Sequence, residues 1–412
     1  VELVIPKKIV LISSGQPSLN PRLVKEADAL TDAGYDVTVV YAYWNHWGTE
    51  HDKQLLASKK WKAIRLGGNP DEKRFTWFLS RLIHKANTYI LQKTGNYKYF
   101  ADLAIARSSY FLIRDAKKHK ADLYIGHNLG SLPATVKTAK FHNKPCGFDA
   151  EDFHRQEGSD DSNSFHFKIS KYIEDKYLPQ VNYLTASSPL IANKYEELYN
   201  KKVTTILNVF PKTSDITIIH NTDKPLKLFW FSQTIGANRG LETVIEAMAL
   251  TGSLTELHLI GYPTAGYREQ LLQSAQQKGL SGDRIFFYDP VHANELFATA
   301  AQFDIGLASE VADVCLNRDI SLPNKIFTYL QSGLAIAASN TSAQSALMEK
   351  YPLAGKTYKD AQSLSEILTD YDKDRGLLWQ TKKDAWQIGQ TALNWEVESL
   401  TFLDVIKKTL QN

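Results

Sequence analysis

From residue 226 onward the chain alternates short apolar runs with amphipathic helical segments, and this alternation most restricts its fold. "LKLFWFS" (226–232), "ELHLIG" (256–261), "RIFFYD" (284–289), "DIGLAS" (304–309) and "LAIAAS" (334–339) read as strands. Several are continuously apolar, as expected for strands buried on both faces of a parallel sheet. Helical segments lie between them. "GLETVIEAMAL" (240–250) places Leu241, Val244, Ile245, Met248 and Ala249 at helical spacing, "YREQLLQSAQQKG" (267–279) ends in Gly279, and "ANELFATAAQ" (293–302) follows. Alternation of this kind predicts a doubly wound α/β sheet with helices on both faces.

The amino half repeats the pattern. "KIVLIS" (8–13) is a strand, followed by the loop "SGQPSLNP" (14–21) and a helix from Arg22 to Ala33 that Gly34 ends. Then come the strand "DVTVVYA" (36–42), the strand "DLYIG" (122–126), a helix from about Leu132, the strands "PCGFDA" (145–150) and "YLTAS" (183–187), a helix from Pro189, and "VTTIL" (203–207). The polar stretch "TSDITIIHNTDKP" (213–225) has little helical pattern and marks the junction. A chain of 412 residues has room for two or three domains. The expected architecture is therefore two Rossmann-like parallel-sheet domains, residues 1–212 and 213–395, with the carboxyl ends of their strands facing a cleft. Such sheets bind ligands at that edge.

Composition removes several classes of function. The net charge of +3, with no long basic run, argues against nucleic acid as a partner. Cys146 and Cys315 are the only cysteines, which excludes a disulfide scaffold or cysteine-rich zinc site and fits a reducing, cytoplasmic compartment. The eleven histidines are scattered, and none forms a His-x3-His pair with carboxylate support, so no metal is expected. No run of about 18 apolar residues is present, so no membrane-spanning helix is expected, and no secretory leader is visible.

"LNRDISLPNKIFTYLQSG" (316–333) carries the sharpest local signal. Ser321 suits an N-cap, Pro323 the first helical position and Gly333 the residue past the end, which predicts a helix over 323–332. Ile326, Phe327, Tyr329 and Leu330 would face the core. The helix start offers free N–H groups and the positive end of the dipole, and Lys325 adds a full charge there, a combination that suits an anion such as phosphate. The alternative is a helix whose caps only cap, with Lys325 in solvent. "FSQTIGANRGLE" (231–242) offers a second cationic helix start through Arg239, and arginine suits bidentate phosphate binding. Two such starts on one sheet edge fit a diphosphate. Neither a Walker loop nor a Gly-x-Gly-x-x-Gly fingerprint occurs.

With these motifs in order, the sequence resembles the retaining glycosyltransferases of the GT-B fold, especially glycosyltransferase family 4. The resemblance covers nearly the whole chain. It is carried by "GQPSLNPRLVKEADALTDAGYDVTVV", "ADLYIGHNLGSLPA", "FDAEDFHR" (148–155), "NRG" (238–240), "SLPNKIFTYLQSGLAIAAS" and "LNWEVES" (393–399). It implies that the last helix, about 396–412, crosses back to the amino domain. It implies an active-site histidine at His127, and phosphate contacts from Arg239 and Lys325. Gly15, Thr234, Gly261, Asp319, Asn324 and Thr328 would complete the donor site, and Asn20, Arg22, Glu151, Asp152 and His154 would bind the acceptor. The donor would be a UDP- or GDP-linked sugar used without a metal or other cofactor, and the acceptor a glycan or lipid-linked glycan. The family's paired glutamates are replaced, the second by Thr328 and the first near Ile320 beside Asp319; Arg239 and Gly240 stand at the family's Lys-Gly pair, and the family's arginine upstream of that pair is replaced by Thr234. These departures keep a non-catalytic binder on the same scaffold as an alternative. A nucleotide-sugar epimerase would need acidic groups such as Glu310 or Asp319.

On local grounds, Gly15 also reads as an ordinary turn, His127 as a strand-end histidine bonded to a carbonyl, and residues 151–154 as a surface turn. Residues 73–120 mix aromatics and cations. They suit amphipathic helices resting on the inner face of an anionic membrane, or two ordinary helices packed on the amino sheet. The number of apolar residues favours packing.

Overall fold

A computed structural model describes residues 6–222, 225–292 and 295–411. Its contacts divide the chain into two units, one of Val1–Ile206 with Ser399–Asn412, the other of Leu207–Glu398. No helix or strand lies between Thr205 and Leu226 among the described residues. The last helix, Trp395–Gln411, starts in the second unit, and its residues from Ser399 group with the first.

Seven parallel strands form the first unit's sheet: β1 (Lys8–Ser13), β2 (Asp36–Ala42), β3 (Lys62–Leu66), β4 (Leu123–His127), β5 (Cys146–Ala150), β6 (Tyr183–Ala186) and β7 (Val203–Thr205). Their order is β3-β2-β1-β4-β5-β6-β7. The second unit has β8 (Leu226–Ile235), β9 (Thr255–Pro263), β10 (Ile285–Tyr288), β11 (Ile305–Ala308), β12 (Ala335–Ser339) and β13 (Gly355–Tyr358), in the order β10-β9-β8-β11-β12-β13. Neighbouring strands pair in parallel among the described residues, and in both sheets the order reverses beside the first strand, at β1/β4 and β8/β11. That reversal creates the crevice in which open α/β sheets bind ligands. The continuous apolar runs are buried as expected. Ile9, Leu11, Ile12, Leu228, Phe229, Trp230, Ile305 and Leu307 have no exposed surface.

Three expectations need correction. The helix of the 316–333 stretch is Asn324–Ser332, and its N-cap is Pro323, in extended conformation and without a side-chain cap. Ser321 is taken by a separate short helix, Leu316–Ile320, whose end it caps by donating its N–H to Asn317 O. Gly333 closes Asn324–Ser332 in the left-handed conformation at φ 65°, where a side chain is costly. The segment 293–302 is helical only over Leu296–Ala300, and residues 293–294 lie outside the described residues. Residues 73–120 form three helices, Arg74–Thr94, Tyr97–Ala104 and Ser109–Asp115. The first leaves many of its apolar side chains in solvent, contrary to the expectation that they pack away. No helix among the described residues is long and apolar enough to cross a membrane.

A bulge in β8 shifts its register with β9 between Phe231 and Thr234. It carries the Ser232 carbonyl against Gly261, which has φ 147°, so a Cβ there would lie 2.3 Å from that oxygen. Gly261 is demanded by the fold itself. Gly261→Ala is expected to destabilise the second unit by about 2–4 kcal/mol, read from urea unfolding. An unchanged midpoint would contradict the close approach.

Candidate active site

In the first unit, sheet register gathers polar residues into one row at the carboxyl ends of the strands. Ser13 on β1 pairs with His127 on β4, His127 with Asp149 on β5, and Asp149 with Thr185 on β6. Above the row runs the helix Pro21–Asp32. Its buried stripe carries Leu23, Ala27 and Leu30, and also Arg22 and Glu26. Arg22 grips Asp149 with two nitrogens, Nη2 at 2.7 Å from Oδ1 and Nε against Oδ2, and its Nη1 donates to the carbonyl of Ile206. Thr185 donates to the same carboxylate.

His127 sits within this cluster. Its Nε2 is 3.1 Å from Glu26 Oε2, at ion-pair distance without hydrogen-bond alignment, and its Nδ1 is 3.6 Å from Asp149 and 3.8 Å from Glu151. Burial alone would lower its pKa, but Glu26, Glu151 and Asp149 raise it to about 10. Asp149 goes the other way. Burial opposes its charge, and Arg22 overrides burial and holds the carboxyl below its usual range. Glu26 is pushed up by burial and by Asp149. His127 has no exposed surface, and its neighbour Glu151, 3.8 Å from Nδ1, is the one of its three carboxylate partners that lines the adjoining cavity. Carboxylates stand on either side of the ring, Glu26 at Nε2 and Asp149 and Glu151 at Nδ1.

Glu151 also faces a cavity of about 290 Å³, which it lines with Asp152, His154, Glu157, His166 and Asn128. Three of the acceptor-side expectations, Glu151, Asp152 and His154, thus share one cavity. Asn20 stands beside it, donating to Glu151 Oε1 while its own Oδ1 caps the helix at Leu23 N. Arg22 is fully buried and committed to Asp149, so it supports the site from behind. His154 Nδ1 lies 3.1 Å from Glu157, and that partner outweighs burial to raise the imidazole to about 9. Its Nε2 has no hydrogen-bond partner among the described residues. Asn128, unremarked in the sequence reading, has φ 64° and ψ 140° directly after His127, a strained backbone of the kind found where function over-determines a turn. A Cβ on Gly15 would meet Asn128 Oδ1 at 3.5 Å, an ordinary contact, so nothing inside the protein requires glycine there.

In the second unit, the switch point between β8 and β11 collects three cations on one carboxylate. Lys325 Nζ is 3.1 Å from Glu310 Oε1, while Arg239 Nη1 and Arg318 Nη1 are 3.7 and 3.9 Å from Oε2. Lys325 is nearly buried, with its Nζ 5.1 Å from the centre of the Trp230 ring. Burial is the main cause that lowers its pKa, with Arg239 and Arg318 adding to it against Glu310. Arg239 precedes the helix Leu241–Leu250, whose N-cap is Gly240, and Lys325 lies in the first turn of Asn324–Ser332. Sequence reasoning found both of these cations but missed Arg318, and it weighed Glu310 only as an epimerase acid. The available signal was position, since Glu310 closely follows β11 at its carboxyl end.

The remaining donor-side expectations fall elsewhere. Thr328 is fully buried and donates to the Asn324 carbonyl. Asp319 accepts from Ser342 N and Oγ at 2.8 and 2.6 Å, at the start of the helix Ser342–Lys350. Asn324 is exposed and accepts from Asn208. Thr234 is exposed at the end of β8, and Gly261 serves the bulge. His127, Asp149 and Glu151 could in principle hold a metal ion, but Arg22 already supplies the cation at Asp149, which makes the donor set a poor fit for one.

No sequence-family model matches the chain, and no curated protein sequence matches it. Solved structures do. HepE of Anabaena in complex with UDP and glucose superposes with a TM-score of 0.69 at 14% identity, covering 98% of this chain and 100% of that one. The fold is GT-B. A glycosyltransferase from Rickettsia africae gives 0.67 at 12%, covering 99% and 100%. A mutant of S. aureus TarM, in complex with fondaparinux, alpha-GlcNAc-glycerol and UDP, gives 0.66 at 11%, covering 98% and 100%. In GT-B terms, the first unit holds the His127 cluster and its cavity, and the second holds the Glu310 cluster.

The raised His127 pKa has a definite sign. Its folded value of about 10 lies above the ordinary 6.5, so its contribution to stability is fully present below about pH 6.5 and lost as pH rises through 10. The stability difference between wild type and His127→Gln is expected to shrink steadily over that window. A difference independent of pH would contradict the charged cluster.

Proposed function

We propose that the protein is a glycosyltransferase that moves a sugar from a nucleotide-sugar donor to a glycan or lipid-linked glycan acceptor. The observation that carries this reading is the convergence of Lys325, Arg239 and Arg318 on Glu310 at a sheet switch point. Three cations against one carboxylate leave positive charge for a diphosphate, and two helix starts add N–H groups. The UDP in the HepE and TarM complexes supports UDP as the first donor to test; GDP is the second.

The chemistry follows from these groups. Glycosyl transfer needs the departing diphosphate stabilised as the anomeric C–O bond breaks, and fixed positive groups in a partly desolvated site do this without a metal. We favour a retaining, front-face course. In it, the leaving phosphate oxygen takes the proton of the acceptor hydroxyl as the new C–O bond forms on the same face. Glu151 and Asp152 would accept hydrogen bonds from acceptor hydroxyls, His154 Nε2 would donate one, and His127 would position Glu151. The Gly15 loop leaves room for a ligand close to backbone.

One observation favours a second reading. Thr328 spends its hydroxyl inside its own helix, so the second of the paired glutamates that the resemblance leads one to expect has no polar replacement there, as in a binder without turnover. An epimerase is disfavoured, because Glu310 is held by three cations and Asp319 caps a helix.

Thermal stabilisation by UDP-, GDP-, ADP-, CMP- and dTDP-sugars tests the donor site. A saturable shift with one nucleotide is expected, and Lys325→Ala or Arg239→Ala should weaken its affinity about ten- to a hundredfold, the worth of a lost charge-assisted contact. The absence of any shift would overturn the reading. A shift without hydrolysis or transfer would favour the binder.

A further inference from the structure

The helix Arg74–Thr94 has two unlike faces. One packs against the helices Tyr97–Ala104 and Ser109–Asp115 and buries Ser80 and Leu91. Phe75, Phe78, Leu82 and Tyr89 are 78, 60, 53 and 63% exposed. Spacings of three, four and seven residues put these four on one stripe. An amphipathic helix ordinarily turns such a stripe to the core. Here it faces outward, and Tyr99 on the next helix, 66% exposed, adds to the apolar surface.

Charge says what would cover it. From Lys73 to Ala101 the chain carries Lys73, Arg74, Arg81, Lys85, Lys93 and Lys98 and no aspartate or glutamate. Two of these cations lie over exposed rings, Lys93 Nζ 5.9 Å from the Tyr89 centroid and Lys98 Nζ 5.7 Å from that of Tyr99. A second copy of this face would bring cation against cation. An anionic lipid surface supplies both an apolar layer for the rings and phosphates for the cations, and Phe, Tyr and Leu beside Lys and Arg suit the interfacial zone.

We propose that the helix Arg74–Thr94 docks the first unit on an anionic membrane surface. Phe75, Phe78, Leu82 and Tyr89 enter the headgroup–acyl boundary, and Lys73, Arg74, Lys85 and Lys93 meet the phosphates. The helix lies in the plane of the interface and does not span it. This docking is independent of the transfer chemistry proposed above, and its test needs no donor.

The test is flotation of the full chain with vesicles of phosphatidylcholine, of phosphatidylglycerol, and of an equal mixture. Flotation with the two anionic preparations, weakened by salt, and none with phosphatidylcholine is expected. Lys85→Gln with Lys93→Gln should lower partitioning about 25-fold, at roughly fivefold per cation. Phe75→Ser with Phe78→Ser should abolish flotation while leaving the melting temperature unchanged, since both side chains are exposed. Failure to float with phosphatidylglycerol, or flotation indifferent to both double variants, would overturn the proposal. So would a concentration-dependent dimer in sedimentation that Phe75→Ser with Phe78→Ser dissolves, because the stripe would then belong to a second copy.

Discussion

The pairing of Arg22 with Asp149 is the constraint on which the polar edge of the first unit depends. An isolated charge buried this deeply would cost several kcal/mol, so the guanidinium and the carboxylate must find each other for the helix Pro21–Asp32 to lie on the sheet. Once they do, geometry follows. The helix is pinned above β5, the Ile206 carbonyl just past β7 is held by the third nitrogen, and Glu26, one turn along from Arg22, is delivered to His127. The cavity beside Glu151 then has one wall whose charges are fixed before any ligand arrives.

Much of the fold was legible because buried parallel strands leave a coarse trace. β1 and β2 begin and end where the apolar runs do, and the helices from Leu132 and Pro189 start where proline and the strand ends place them. The strand Lys62–Leu66 and the helix His46–Ala57 were not read. Both are polar enough to pass for loop, and all of β3 remains partly exposed at the sheet edge. The start of Asn324–Ser332 was missed by one residue because Ser321 had a competing use as the cap of the helix before it.

The site was legible only in part, for a different reason. Lys325, Arg239, Glu151 and His154 sit at helix starts or just past strand ends, and there one-dimensional position implies the ligand-facing edge. Arg318 announces itself only through its three-dimensional neighbours, and Asn128, although just past the end of β4, only through its backbone conformation. Arg22 and Glu26 could have been flagged as buried, since they are charged residues on the apolar stripe of their helix. Thr328 shows the reverse error. Its place in the motif suggested a ligand contact, but a residue near the middle of a nine-residue helix buried along nearly its whole length can turn only towards its own backbone.

Glu310 sets a bound on how the second unit behaves. Lys325, Arg239 and Arg318 would repel one another if the carboxylate between them were absent, so it is the counter-ion that lets them stand ready at one spot. Any anion arriving at that edge competes with a negative charge already bonded in place. Its affinity is therefore a difference between two attractions, smaller than three cations alone would give. A site of this kind exchanges anions more readily than it traps them, and on release the cations fall back to a partner they never fully left.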